Sequence, residues 1–193
     1  MWPTMWPPTS TSVRCDLPTP SPSRPRARSC AASSGSWLMA EKAKPTVRMS
    51  AEECWEMLET SVNGVFTTLR ANGQPISLPV WYAVLDRKIY MVTRGKKVVR
   101  VSNDQRCSFL VEAGDRWAEL RAVHVECTGR VIEPSEELAQ RIALALDEKY
   151  APYRTARDVM PEPTRDYYEK NLNATIELTP VGKMLNWDNS KLF

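Results

Sequence analysis

A chain of 193 residues, 42% of them hydrophobic, is long enough for one domain with a filled core. Its 26 basic and 23 acidic side chains leave a net charge of +3, which argues against wholesale nucleic-acid or membrane-surface binding and makes any basic site a local one. Five cysteines without C-x-x-C spacing, one histidine and no apolar run of roughly 18–20 residues argue against a disulfide framework, a metal site and a membrane helix, so a reducing, cytoplasmic protein is expected.

Residues 1–48 are rich in Pro, Ser, Thr and Arg and poor in aliphatic side chains. Such a segment cannot bury enough apolar surface to offset its ordering entropy. It is expected to be a disordered extension, an over-long gene start with the natural start near Met39 or Met49, and the folded domain is expected over 49–193. At Ser50-Ala51-Glu52-Glu53 the texture changes to an S-x-x-E capping box, followed by Trp55, Leu58 and Val62 on one helical face.

Strands are expected over Gly64–Leu69 and Ile76–Val84, joined by a tight hairpin in which Asn72-Gly73 supplies positive φ angles. Lys88–Thr93, Arg106–Ala113 and Trp117–Ile132 read as further strands. In the last, Val123, Val125 and Cys127 alternate in one phase and Leu120 and Ala122 in the other, which predicts a bulge or bend near Ala122. A helix is expected from Pro134-Ser135-Glu136-Glu137 through Tyr150 and a second over about 165–171. Ala174–Leu178 and Lys183–Trp187 then form a terminal hairpin across Thr179-Pro180-Val181-Gly182. Six or seven strands at hairpin spacing with late, outer helices predict a mainly β, antiparallel split barrel with peripheral helices. No G-x-G-x-x-G follows a strand and no Walker-type loop is present.

The stretch Tyr90-Met91-Val92-Thr93-Arg94-Gly95-Lys96-Lys97 places a glycine and three cations at a strand end, before a short helix over Lys96–Asn103. Two readings fit: a solvated basic turn, or an anion site in which helix N–H groups, Thr93, Arg94 and Lys97 converge on a phosphate.

The succession "GQPISLPVWY", "KIYMVTRGKKVVRVSNDQRCSFLVEAG" and "ELRAVHVECTGRVIE" resembles the flavin-binding split-barrel proteins related to pyridoxamine 5′-phosphate oxidase, over about 50–193. The resemblance implies that Thr93, Arg94, Lys96 and Lys97 grip the FMN phosphate. It further implies that Ser77, Pro79 and Trp81 lie along the isoalloxazine ring. The tail "ELTPVGKMLNWD" resembles the family's closing hairpin, which implies that Trp187 reaches the cofactor of a partner subunit in a homodimer. A deazaflavin, F420, replaces FMN in one branch. The Arg-x-His that holds pyridoxal in true pyridoxamine phosphate oxidases has no counterpart before Phe193, so vitamin B6 oxidation is not implied.

The expected function is therefore an FMN-dependent oxidoreductase acting on an unidentified small molecule. The alternatives are an F420-dependent reductase or a flavin- or haem-binding protein without turnover. A flavin brings its own reactivity, so no catalytic side chain is assigned. His124 is expected to be a plain strand residue, and Cys107 and Cys127 inert core thiols. Trp81 and Trp187 suit packing as well as cofactor contact. Trp81, Tyr82, Arg94, Lys96, Lys97 and Arg100 would also suit single-stranded nucleic acid, against which the near-neutral charge weighs.

Overall fold

The computed structural model describes residues 46–170 and 173–193. The extension expected over 1–48 lies outside the described residues except at its end, where the Val47 carbonyl accepts from Asp188 N at 2.7 Å and Arg48 Nη1 donates to the Asn186 carbonyl at 2.9 Å.

Helix α1 (Ala51–Thr60) starts at the expected capping box: Ser50 Oγ accepts from Glu53 N at 3.2 Å and Glu53 accepts from Ser50 N at 2.6 Å. The strands are β1 (Gly64–Leu69), β2 (Pro75–Val80), β3 (Ala83–Leu85), β4 (Lys88–Thr93), β5 (Arg106–Ala113), β6 (Arg121–Ile132), β7 (Ala174–Pro180) and β8 (Leu185–Asp188). Helix α2 (Lys96–Asn103) follows β4, and α3 (Glu136–Tyr150) and α4 (Glu162–Lys170) lie between β6 and β7. The sheet runs β2-β1-β5-β6-β7-β4-β3, with β8 also on β6, and every pairing is antiparallel.

This order dictates the curl. β2 and β3 are the two ends of the path, yet only Trp81 and Tyr82 join them. The sheet must therefore wrap until its ends approach, which makes it the expected split barrel. Tyr82 plugs the split: its ring meets Phe109 edge-on at 4.6 Å, and its hydroxyl lies 2.6 Å from the Leu58 carbonyl and 3.0 Å from that of Ser61. Phe66, Ile89, Met91, Val111, Val123, Val125, Ile176 and Leu178 fill the interior, with Met57 and Leu58 of α1 and Val101 of α2.

Four local expectations are corrected. The Ile76–Val84 run breaks at Trp81-Tyr82, where the chain crosses between the sheet's ends. Asn72 does not take a positive φ; Gly73 alone does (80°), in a three-residue loop closed by Arg70 N to the Gln74 carbonyl at 2.9 Å. The two-residue turn with both φ positive falls instead at Asp86 and Arg87 (52° and 59°), pinned by an Arg141–Asp86 ion pair at 2.9 Å and by Arg87 lying over the Trp55 ring.

The β5–β6 register is unbroken from Arg106↔Thr128 to Ala113↔Arg121, so there is no bulge at Ala122. Trp117–Glu119 forms a 3₁₀ turn, which removes Leu120 from the strand and with it the phase conflict. Finally, β7 and β8 form no hairpin. Both run antiparallel along the same edge of β6, Pro180 opposite Cys127 and Leu185 opposite His124, so two extra residues bulge out where a turn was expected. Gly182 (φ 70°) allows that bulge, and Val181 N still reaches the Glu126 carbonyl at 2.8 Å. No helix among the described residues is long and apolar enough to cross a membrane.

Candidate functional site

The basic stretch folds as strand, glycine and helix. Thr93 ends β4 opposite Ala174, and Gly95 is the N-cap of α2 with φ 71° and ψ −144°, a conformation essentially reserved for glycine. No side chain caps this helix and its first turn holds no acid. The first turn instead carries Lys96, exposed, and Lys97, half-buried, neither in an ion pair among the described residues. Cations at a helix N-terminus oppose its dipole by typically 0.3–1 kcal/mol each. An arrangement that breaks the local rule twice in one turn fits an anion that offsets the cost. The helix is held against the sheet by Val101, by Arg100 Nε donating to buried Thr68 Oγ1 at 2.8 Å, and by the bare backbone at Gly129.

Strand alternation sets the second part. Ser77, Pro79 and Trp81 point out of the barrel, the interior phase being that of Phe66, Phe109 and Val125, which are paired across β1, β5 and β6. Ser77 Oγ lies 2.8 Å from Thr67 Oγ1. Trp81, 41% exposed, stacks one face on Tyr150 at 4.4 Å and 8°. Tyr150 is in turn fixed through its hydroxyl, which accepts from Tyr82 N at 2.9 Å and shares its one proton between the Val62 and Tyr82 carbonyls at 2.8 and 3.1 Å. Trp81 also lines a cavity of about 580 Å³ that takes in Val92, the outward residue just before Thr93. Arg94 beside it lies over the Tyr167 ring at 5.7 Å.

Trp187 stands elsewhere. Along the outer face, Pro79, Val65, Leu110, His124 and Leu185 form one cross-strand row, with Trp187 in the next row opposite Ala122. Four strand spacings, about 19 Å, separate the β2 end from β8. One chain thus gathers Ser77, Pro79 and Trp81 on one strip and Thr93, Arg94, Lys96 and Lys97 on another, and does not bring Trp187 to either. Leu185, Trp187, Trp117 and Phe193 are all exposed, an apolar strip on the outer face and its margin.

His124 sits on this outer face, half-buried, with Nδ1 buried and without a hydrogen-bond partner among the described residues. Tyr82 is fully buried, which removes it from any stacking surface for nucleic acid. Burial pushes the Cys107 and Cys127 thiols up to about 12, the values of inert core cysteines. The sequence reading missed Tyr150 as the prop under Trp81. It also missed the cavity wall formed by Tyr153, Arg154, Arg157 and Arg165. The arginine-rich run "YRTARDVMPEPTR" carried that signal without a periodicity to place it.

The chain belongs to the pyridoxamine 5′-phosphate oxidase family, whose model matches residues 50–181. No curated protein matches it. Among solved structures, a conserved hypothetical protein from Mycobacterium tuberculosis is 28% identical, with a TM-score of 0.63 over 77% of this chain and 91% of its own. An FAD-binding protein from Mesorhizobium loti (TM-score 0.55, 16% identity, 72% of this chain and 94% of its own) shares the fold. So does the haem storage protein of Vibrio cholerae (TM-score 0.54, 10% identity, 72% and 97%).

Proposed function

We propose that this chain is a flavin-dependent oxidoreductase that holds FMN, or alternatively F420, at the end of β4 and acts on a small planar or conjugated substrate. The observation that carries the reading is the uncapped start of α2, where Gly95, Lys96 and Lys97 concentrate donors and positive charge without an internal acid. Family membership and the FAD-binding neighbour of the same fold support it. Thr93 and the first N–H groups of α2 would accept the phosphate, with Arg94, Lys96 and Lys97 supplying charge. The Ser77–Trp81 strip would offer backbone groups to the polar edge of the ring system, where developing negative charge is stabilised by fixed donors. Once bound, such a cofactor supplies hydride chemistry of its own, so no side chain is assigned as acid or base.

The distance of Trp187 from both strips supports a two-chain site, in which Trp187 of a second copy covers the ring and the exposed strip around Leu185 and Trp187 is the dimer contact. The test is thermal denaturation with FMN, FAD, F420 and haem titrated singly, followed by turnover with NADPH or reduced F420. A selective rise in melting temperature with a flavin or deazaflavin, and its bleaching under turnover, is expected. A shift with haem alone, or stoichiometric reduction without turnover, would replace the enzyme by a binding protein.

A further inference from the structure

The cavity beside Trp81 has a composition that cofactor anchoring does not use. Besides Trp81 it is lined by Tyr153, Met160 and three arginines, Arg154, Arg157 and Arg165, and among the described residues by no acidic side chain. Two of the three guanidiniums are partly engaged. Arg154 pairs with Asp147 at 2.6 Å, and Arg165 Nη1 lies 3.4 Å from the Asp158 carbonyl, a neutral acceptor. Arg157 has no ion pair among the described residues. Arg157 and Arg165, two like charges lining one cavity without a carboxylate partner among the described residues, repel one another unless something anionic sits between them. Guanidinium forks match carboxylates in particular, because two parallel N–H groups meet two oxygens.

The aromatic part of the lining selects for shape. Tyr150 holds one face of Trp81, and the hydrogen bonds of its hydroxyl hold Tyr150, so the other face of Trp81 is a fixed flat surface of indole size. A flat apolar plate that shares a cavity with arginines accepts a ring lying on the plate with its anionic substituent turned to the guanidiniums. Val92, one residue before Thr93, joins this cavity to the strand that ends in the basic turn.

We infer that the cavity bounded by Trp81, Arg157 and Arg165 is the substrate end of the site and selects planar, conjugated carboxylates. The inference rests on the flavin reading for the chemistry done on the bound molecule; the selectivity itself belongs to the cavity.

The experiment is calorimetric titration of the full chain with salicylate and with its neutral isostere salicylamide, with and without FMN. Salicylate should bind at least about ten-fold tighter, the worth of one charged hydrogen bond, with a preference that shrinks as salt rises. An Arg157→Gln/Arg165→Gln double variant should lose the preference and keep its FMN affinity. If that variant fails to fold, Arg157→Gln alone, at an exposed side chain, carries the same comparison.

Equal affinity for the two probes, no binding of either, or an unchanged preference in the variant would overturn the inference. Loss of FMN together with salicylate would also overturn it, by assigning the arginines to cofactor anchoring. Salicylate preference in a chain that binds no flavin would sink the flavin reading and leave the carboxylate site standing.

Discussion

Lys149 shows how one residue carries both a cost and a use. Its ammonium lies 3.8 Å from the centre of the Tyr82 ring and 5.7 Å from that of Tyr150, buried and without a hydrogen-bond partner among the described residues. Burial lowers its pKa from 10.5 to about 8. Because the folded value lies below the unfolded one, the unfolded chain binds more protons between about pH 8 and 10.5, and stability rises with pH across that window. Lys149→Met should therefore melt higher than the parent at pH 7, with the difference closing towards pH 10.5. A variant that melts lower at pH 7 would show that the ring contacts outweigh desolvation. None of this was legible in the sequence, where Lys149 reads as one more cation in the last turn of a helix. Lys96 and Lys97 were legible because glycine and neighbouring charges mark a turn locally, whereas the contacts of Lys149 with Tyr82 join residues 67 apart in the chain.

Among the elements, those with a strong local signal formed where the sequence placed them: the capping box of α1, the strand β5, and the strand, glycine and helix of Tyr90–Asn103. The misreadings share a cause. Whether a run bends, bulges or turns depends on what lies across the sheet. Thr179-Pro180-Val181-Gly182 has turn chemistry, yet β6 is long enough to pair first with β7 and then with β8, so the turn residues are spent on a bulge. Likewise Asp86 and Arg87 lack the glycine of a usual two-residue turn and are held by Arg141 and Trp55. Helix α2 is fixed just as tightly: a methyl group at Gly129 would lie 3.0 Å from Cys107 Sγ, 3.2 Å from Val101 Cγ1 and 3.3 Å from Leu178 Cδ2. Gly129→Ala should cost about 1–3 kcal/mol of stability in urea unfolding, as overpacking does. An unchanged midpoint would mean that α2 sits looser than its contacts imply.

At the scale of the whole molecule, the curl of the sheet comes from two residues, Trp81 and Tyr82, linking its ends, and the outer face is left to carry function. That face bears an apolar strip at β8, and one chain does not unite Trp187 with the two strips proposed to hold the cofactor. Hence a dimer is expected by light scattering, and Trp187→Ala should weaken flavin binding without disturbing Lys97. A monomer that retains flavin would contradict the two-chain arrangement. The sequence made the barrel legible through its alternation and turn spacing, but the cavity wall depends on how the segment between α3 and α4 folds over Trp81, which no local periodicity announces.

The central claim is that the start of α2 is a phosphate site, and comparing FMN with riboflavin by calorimetric titration, in the parent and in Lys97→Ala, tests it most directly. The phosphate is the only difference between the two ligands. FMN should bind markedly tighter than riboflavin, and Lys97→Ala should weaken FMN by about 1.5–3 kcal/mol while leaving riboflavin unchanged. Equal affinity for the two ligands in the parent chain would return Thr93-Arg94-Gly95-Lys96-Lys97 to a solvated basic turn.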